Sequence, residues 1–166
     1  MDDRVADPVA SRPIMRGYGL AEGDEGMLPW SWAEERLTRS HDYWCATTWP
    51  DGRPHVMPVW ALWLDGALWF SSSPTSRKAR NLGHDPRCVL TTDDALEPVV
   101  IEGRAEPVDD LGRVETFTAA ANAKYETDYE VDFYVRNALF RVAPTWVFAL
   151  DEEAFDTSPT RWTFPH

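Results

Sequence analysis

The sequence contains few cysteines, no long apolar run and a deficit of basic residues. Its two cysteines, Cys45 and Cys88, each fall inside a segment predicted to be a β-strand, where a free thiol behaves as a small apolar side chain. Two cysteines at this spacing provide neither a disulfide framework nor a zinc site. This usage favours a reducing compartment, and we expect a cytoplasmic protein.

Long apolar segments are absent. No run approaches the roughly 18 apolar residues that a membrane-spanning helix needs. The start, Met1-Asp2-Asp3-Arg4, is not followed by the apolar core of a signal peptide. We therefore expect neither secretion nor a membrane partner.

Basic residues are outnumbered. The chain has 16 Lys and Arg against 28 Asp and Glu, which gives a formal net charge of −12. Binding to a nucleic acid backbone needs a broad cationic surface that releases counterions, so this balance argues against a nucleic acid partner. The bases that could still form a local cationic cleft are Arg53 and the group from Arg77 to Arg80.

Several catalytic patterns are missing. There is no G-x-S-x-G nucleophile elbow and no G-x-G-x-x-G dinucleotide fingerprint. The histidines have neither a helical His partner nor carboxylates at metal-ligand spacing, so we expect no metal site. They are His41, His55, His84 and His166.

The sequence does contain enough apolar and aromatic residues for one folded domain. Its 166 residues are 43% hydrophobic, and nine Trp raise the aromatic content to 13%. An aromatic excess in a small domain is typical of a subunit interface or of a site for a planar ligand, although a β-rich core accounts for part of it.

Short apolar runs separated by turns indicate a mainly β protein. Two of these runs flank Asp65-Gly66, which predicts a β-hairpin. Pro58 cannot donate a ladder hydrogen bond, so its strand must bulge or face outward there, and Gly103 predicts a second bulge. The predicted strands are 43–49, 54–64, 67–73, 87–92, 98–105, 145–150 and 158–164, while 136–142 is ambiguous.

Helical patterns begin at Ser31, at Ser76 and at Asp109 or Asp110, the last running to about residue 125 and continuing with helical character to 134. Together with the strands they predict a mainly β, α+β fold, a closed or nearly closed β-barrel of six or seven strands with packed helices. Residues 1–30 show no period and are expected to form an extended N-terminal arm. The barrel domain would then cover residues 31–166.

The change of pattern after the hairpin bears most directly on function. A helix that begins near Ser76 leaves backbone N–H groups without partners at the positive end of its macrodipole. Ser76 beside Arg77 and Lys78 therefore offers amides, a hydroxyl and two cations to one anion, such as a phosphate. The alternative is that Ser76 only caps the helix and that the two bases are solvated.

The chain resembles the pyridoxamine 5′-phosphate oxidase-like split-barrel superfamily, and within it most the flavin/deazaflavin-dependent oxidoreductase branch. The resemblance covers roughly residues 34 to 164. It rests on the order of Asp-Gly-Arg-Pro at 51–54, a Val/Trp strand, Asp65-Gly66, an aromatic strand ending in Ser, Ser-Arg-Lys-Ala-Arg-Asn-Leu at 76–82 and Asp-Pro-Arg at 85–87.

This resemblance implies a homodimeric split barrel with a cofactor site at each subunit boundary. It implies that the Ser-Arg-Lys segment binds the cofactor phosphate and that the ring lies along the strand of residues 55–60. Residues of the partner chain near Pro98 and near Arg161-Trp162 would close the site. The implied cofactor-binding residues are His55, Val56, Met57, Pro58, Val59, Trp60, Ser71, Ser72, Ser76, Arg77, Lys78, Asn81, Pro98, Arg161 and Trp162.

The resemblance also implies a reaction. The segment with three bases is similar to members that use the deazaflavin coenzyme F420, and FMN is the alternative. The expected function is transfer of a hydride between this cofactor and a small unsaturated or aromatic substrate. Synthesis of pyridoxal phosphate is not expected, because the chain ends in Ser158-Pro-Thr-Arg-Trp-Thr-Phe-Pro-His166 and lacks the Arg-x-His motif of genuine pyridoxamine-phosphate oxidases.

A second hypothesis is a non-catalytic protein that binds or sequesters a flavin, a deazaflavin or haem. The absence of an evident proton donor beyond the backbone, the serines and His55 favours it. No side chain is singled out as catalytic.

Overall fold

Eight strands and four α-helices are present in residues 8–164, the part of the chain that the computed structural model describes. The helices are α1 (Trp30–Arg39), α2 (Arg77–His84), α3 (Leu111–Tyr125) and α4 (Val131–Val135), with a 3-10 turn at Glu152–Ala154. The strands are β1 (Val9–Ser11), β2 (Asp42–Thr48), β3 (Pro54–Leu64), β4 (Ala67–Ser72), β5 (Arg87–Thr92), β6 (Val99–Pro107), β7 (Ala138–Ala149) and β8 (Thr160–Thr163).

Six of the strands close into an antiparallel barrel in the order β4-β3-β2-β5-β6-β7, because β7 pairs with β6 as well as with β4. Strand β7 changes neighbours along its length. Residues 138–142 pair with β4, and residues 146–149 pair with β8. Strand β1 extends the sheet beyond β8. The predicted mainly β split barrel with packed helices is confirmed.

Alternation along the strands gives the barrel two distinct surfaces. Side chains such as Tyr43, Leu68 and Val147 fill the interior and are fully buried. On the outside, helix α3 packs against Leu62 and Trp69, which are cross-strand neighbours. Elsewhere on the outer face large apolar side chains remain exposed, notably Trp44, Val56 and Trp60, and we call this part the bare outer face.

Several predicted elements have the expected bounds. Strands β3 and β5 match the predicted 54–64 and 87–92. The bulge at Gly103 is confirmed, since the β6–β7 register shifts between Glu102 and Gly103. Helix α3 begins after Asp110, whose carboxylate accepts a hydrogen bond from the Arg113 N–H at 2.9 Å.

Other predicted bounds are wrong. Helix α1 begins at Trp30 with Pro29 at its N-cap, so Ser31 does not cap it. Helix α3 ends at Tyr125, and its C-cap, Glu126, adopts a left-handed conformation with φ 53°. The helical character expected to 134 is limited to α4. Residues 138–142 of the ambiguous 136–142 segment belong to β7, because their pairing with β4 extends that strand toward the N-terminus.

The described part of the N-terminal segment is attached to the barrel. Strand β1 pairs with β8, and the Arg12 guanidinium donates to the carbonyl oxygens of Gly23, Glu25 and Pro159. Residues 1–7 of the expected arm, and Pro165 and His166, lie outside the described residues.

Within the described residues, no helix is both long enough and apolar enough to cross a membrane.

Candidate functional site

Strand β3 has an unpaired backbone edge over its first half. Residues 54–60 pair with β2, whereas β4 pairs with β3 only at residues 61–64. The end of β4, Ser71 and Ser72, pairs with β7 instead. Among the described strands, none occupies the position beside residues 56–60, and we call this stretch of backbone the open edge.

Hydrogen bonds at Ala61 show which residues face the open edge. The Tyr125 hydroxyl accepts from the Ala61 N–H and contacts the carbonyl oxygens of Ala61 and His41, on the β2 side of the strand. Backbone groups alternate sides along an antiparallel strand. Val56, Pro58 and Trp60 therefore direct their backbone groups away from β2, toward the open edge.

Pro58 thus costs the barrel no ladder hydrogen bond. The β2–β3 register runs without a bulge from Asp42↔Trp60 to Thr48↔Pro54, with Pro58 opposite Trp44. Its missing N–H lies at the open edge, which is where a strand tolerates proline. Of the two predicted alternatives, a bulge or an outward-facing position, the structure has the second.

The start of helix α2 lies next to the end of β4. Ser76 is the N-cap, as predicted, and its hydroxyl accepts from the Ala79 N–H at 3.1 Å. The Ser72 and Ser76 hydroxyl oxygens are 2.9 Å apart. We call Ser72, Ser76, Arg77 and Lys78 the cradle, because they surround the positive end of the helix.

Trp49, which the sequence did not single out, organises the nearby arginines. The Arg77 guanidinium carbon lies 3.7 Å from the centre of the Trp49 ring, and that of Arg53 lies 4.3 Å away. Arg53 also pairs with Asp51, and the hydrogen bonds that it donates lower the pKa of that carboxyl group. The Trp49 ring therefore holds Arg77 of the cradle and places a second cation, Arg53, beside it.

The positive charge of Lys78 also affects a thiol inside the barrel. Burial raises the pKa of the Cys45 thiol to about 12, and the positive charge of Lys78 opposes that rise. The second thiol, Cys88, is also buried, and burial raises its pKa. Neither cysteine is a reactive thiolate at neutral pH.

Asn81, in helix α2, lies inside the protein, and its expected contact with the cofactor stays a prediction. Its side chain is fully buried, and Nδ2 donates to Thr47 Oγ1 at 3.0 Å. Thr47 Oγ1 lies 3.4 Å from His55 Nδ1. Asn81 Oδ1 has no hydrogen-bond partner among the described residues. The amide is therefore an internal group that acts on His55 through Thr47.

The residues of β3 along which the cofactor ring is expected to lie, 55–60, differ in exposure and in the groups that they present. Val59 is buried in the barrel interior, while Val56 and Met57 are about half exposed. The Trp60 ring stacks on Tyr125 at 4.3 Å with an interplanar angle of 5°, so its side chain lies on the outer face. At the open edge these residues present mainly backbone groups.

Three expected site residues lie far from the cradle in the same chain. Pro98 precedes β6 at the barrel end opposite the cradle, and Arg161 donates to the Ser11 hydroxyl at 3.1 Å. Trp162 is 1% exposed and packs against Trp30 at 5.5 Å. Its ring is therefore part of the core, and its expected contact with a cofactor stays a prediction.

A lysine and two tyrosines tie helix α3 to the barrel. Lys124 Nζ donates to the Tyr43 hydroxyl at 3.1 Å and to the Ala61 carbonyl oxygen at 2.8 Å. Burial lowers the pKa of Lys124 to about 8, and it raises the pKa of both Tyr43 and Tyr125. These groups close the end of the β2–β3 ladder.

A cavity of about 420 Å³ lies on the other side of α2, and none of the expected cofactor residues lines it. The cavity is lined by Pro74, Ala79, Leu82, Gly83, Pro107, Val108, Asp109, Val114, Tyr134, Val135, Asn137, Ala138, Leu139 and Phe140.

Among residues 8–164, no three His, Cys, Asp or Glu side chains are placed to hold a metal ion.

Solved structures share this fold. A conserved hypothetical protein of Mycobacterium tuberculosis, Rv2991, is 24% identical with a TM-score of 0.69, over 75% of this chain and 86% of that one. A protein named F420 reductase is 24% identical with a TM-score of 0.57, over 69% and 94%. A FAD-binding protein of Mesorhizobium loti is 20% identical with a TM-score of 0.57, over 82% and 96%.

A comparison with curated proteins found no match. Residues 33–151, which include the barrel strands β2 to β7, match the family model described as Pyridoxamine 5'-phosphate oxidase. This match covers well over half of the chain. The chain therefore belongs to the pyridoxamine 5′-phosphate oxidase family.

Proposed function

We propose that this protein binds a flavin-type cofactor with its phosphate in the cradle and its ring along the open edge of β3. The observation that carries the proposal is the position of the two features. The cradle adjoins the end of β4, and the end of β4 borders the open edge. A phosphate-bearing planar molecule needs both features side by side.

Each part of such a cofactor meets suitable chemistry. The N–H groups at the start of α2, the Ser72 and Ser76 hydroxyls and the Arg77 and Lys78 cations match an anionic group. The backbone of Val56 and Trp60 offers donors and acceptors to the polar edge of a ring. In a chain with a net charge of −12, this cluster is a local exception, and an anion would be drawn to it.

We propose coenzyme F420 as the cofactor, with FMN as the alternative. Arg53 stacks on Trp49, next to the cradle, and Arg80 is exposed on α2. The cationic groups therefore cover a wider area than one phosphate would occupy. A longer anionic tail would use them. When bound, either cofactor supplies a hydride for a small unsaturated or aromatic substrate.

We also propose a homodimer formed through the bare outer face of the barrel. Trp44 and Trp60 are 45% and 46% exposed there, and aromatic residues are enriched at the centre of interfaces. Pro98 and Arg161 lie at the barrel end opposite the cradle, so only a second copy could bring them to a cofactor site. In such a dimer, Pro98 and Arg161 of one chain would close the cofactor site of the other, as the resemblance implies.

Absorbance and fluorescence titrations of the purified protein with F420 and with FMN test the proposal. We expect saturable binding of at least one of them, tighter for F420. Failure of both to bind would refute the proposal.

Turnover separates the enzyme from the binding-protein alternative. We expect the protein, with the reduced cofactor, to reduce at least one member of a panel of quinones and enones, and not to oxidise pyridoxamine 5′-phosphate. Tight binding of a flavin, deazaflavin or haem with no turnover across the panel would favour sequestration.

A further inference from the structure

Three side chains connect the interior of helix α2 to the start of the open edge. Asn81 Nδ2 donates to Thr47 Oγ1, and Thr47 Oγ1 contacts His55 Nδ1. Asn81 is 0% and Thr47 3% exposed, so both side chains are enclosed by the protein, whereas His55 is partly exposed. We propose that Thr47 and Asn81 are positioning residues that direct the Nε2–H of His55 toward the anionic part of the cofactor. This inference rests on the proposed function.

The direction of the hydrogen bonds sets the state of the imidazole. When the Thr47 oxygen accepts from the Asn81 amide, its own hydrogen is available to His55 Nδ1. Nδ1 then acts as an acceptor, and the neutral ring carries its proton on Nε2. The two ring nitrogens point in diverging directions, so this Nε2–H donor points away from Thr47.

Running the same chain in the opposite direction would gain nothing. Asn81 Oδ1 is buried without a partner among the described residues, and a buried unpaired acceptor is costly. If the amide rotated, Oδ1 would accept the Thr47 hydrogen and the Thr47 oxygen would accept from a His55 Nδ1–H, but the Nδ2 group would then take the buried position that has no partner. Rotation therefore relieves no unpaired group. The observed direction, in which Asn81 donates to Thr47, is the one that sets the tautomer.

The surroundings of His55 suit an anion. The Trp49 ring centre lies 6.4 Å from that of His55, and Arg53 and Arg77 stack on Trp49. The carboxylate of this turn, Asp51, is paired with Arg53. On the α2 side, the positive charge of Lys78 acts on the Cys45 thiol of β2 and so lies near the same end of the barrel. An anion between His55 and the cradle would therefore meet donors from β3 and α2 together.

Nitrogen-15 NMR of the His55 ring in the ligand-free protein tests the chain directly. We expect the Nε2–H tautomer in the wild type at high pH. In Asn81→Asp the carboxylate only accepts, so Thr47 must donate to it and the ring should switch to Nδ1–H. The double variant Thr47→Val/Asn81→Asp lacks the connecting hydroxyl and should not switch. A tautomer unchanged by Asn81→Asp in a folded protein would overturn the proposal.

Cofactor affinity provides a second measurement, which does not require the Asn81→Asp variant to fold. Thr47→Val should weaken binding of F420 or FMN by about fivefold or more, and Thr47→Ser, which keeps the hydroxyl, should restore it to within about twofold. Equal affinities for the Val and Ser variants would overturn the inference alone. Absence of binding by the wild type would instead refute the proposed function, and the tautomer switch would still report on the chain.

Discussion

The Tyr125 hydroxyl accepts a hydrogen bond from the Ala61 N–H at 2.8 Å and lies 2.8 Å from the Ala61 carbonyl oxygen. It takes the position that the next residue of β2 would hold in the ladder with β3. A side chain from helix α3 thus ends the pairing of two barrel strands and satisfies backbone groups that would otherwise be unpaired.

Removal of this hydroxyl should destabilise the barrel. Tyr125→Phe leaves the Ala61 N–H without its partner, and we expect a loss of about 1–3 kcal/mol in the free energy of unfolding. Urea denaturation measures it. The matched control is Tyr129→Phe, because Tyr129 is exposed and its hydroxyl makes no hydrogen bond among the described residues. Equal stability of the two variants would contradict this role of Tyr125.

Lys124 should make stability depend on pH above neutrality. Its pKa is about 8 in the folded chain against an ordinary 10.5, so between these values the unfolded chain binds more protons and stability rises with pH. Because Lys124 is partly exposed, we expect a gain of about 1 kcal/mol between pH 8 and about 9.5, relative to Lys124→Met.

The trend should reverse at higher pH. Burial raises the pKa of Tyr43 and Tyr125 in the folded chain, so above about pH 10 the unfolded chain loses these protons first and stability falls. Urea denaturation across pH 7.5 to 11 measures both changes. A difference between wild type and Lys124→Met that stays constant from pH 8 to 9.5 would show that Lys124 is not desolvated.

The cradle should carry much of the cofactor affinity. Arg77→Ala with Lys78→Ala removes two charge-assisted contacts, each worth roughly 1.5–3 kcal/mol, so we expect at least about a hundredfold weaker binding. Arg16→Ala with Arg113→Ala removes the same charge elsewhere and should change the dissociation constant less than about twofold. Titration by absorbance compares them. An affinity that stays within twofold in the cradle variant would make these bases surface charges.

The bare outer face should control assembly. Trp44→Glu places a charge among exposed apolar side chains of β2 and β3, where a dimer interface would have to desolvate it. We expect a dimer for the wild type and a monomer for this variant by analytical ultracentrifugation. Leu111→Glu, at a similarly exposed position on α3, is the control and should remain dimeric. A wild-type monomer would refute the proposed interface.

Replacing Gly103 or Gly83 by alanine should change the stability of the protein in opposite directions. At Gly103 a Cβ would lie 2.5 Å from the Ala143 carbonyl oxygen, so Gly103→Ala must distort the bulge and should cost about 1–3 kcal/mol. At Gly83, in helix α2, nothing lies within 4 Å, and Gly83→Ala should stabilise the protein by about 0.5–1 kcal/mol. Thermal and urea denaturation compare them. Destabilisation by both would mean that the helix position is also crowded.

Local patterns predicted most of the barrel strands and the start of α2. Alternating apolar residues with Asp65-Gly66 between them indicated the β3–β4 hairpin, and Ser76 before Arg77 indicated the helix start. These features depend on neighbouring residues. The first half of β7 was ambiguous, because its pairing partner β4 lies about seventy residues away in the chain.

Within the candidate site, the sequence indicated residue types and missed two contacts. Counting back from the turn at Pro50-Asp51-Gly52 would have paired Thr47 with His55, but nothing local shows that Asn81 reaches Thr47. Because arginine stacks on indole rings, Trp49 could have been predicted to contact a nearby arginine. Which arginine it contacts depends on how α2 packs, and this brings Arg77 to the ring.

The sequence by itself determined a mainly β fold, the order of its hairpin and cradle helix, and a local cluster of bases in an acidic chain. The tertiary structure decided that β4 leaves β3 after Phe70, that Asn81 and Trp162 are buried, and that Pro98 lies at the barrel end opposite the cradle. The division has a physical reason. Turns, caps and alternation are properties of adjacent residues, whereas an open strand edge and the burial of a polar side chain depend on which distant strands pair and in which register.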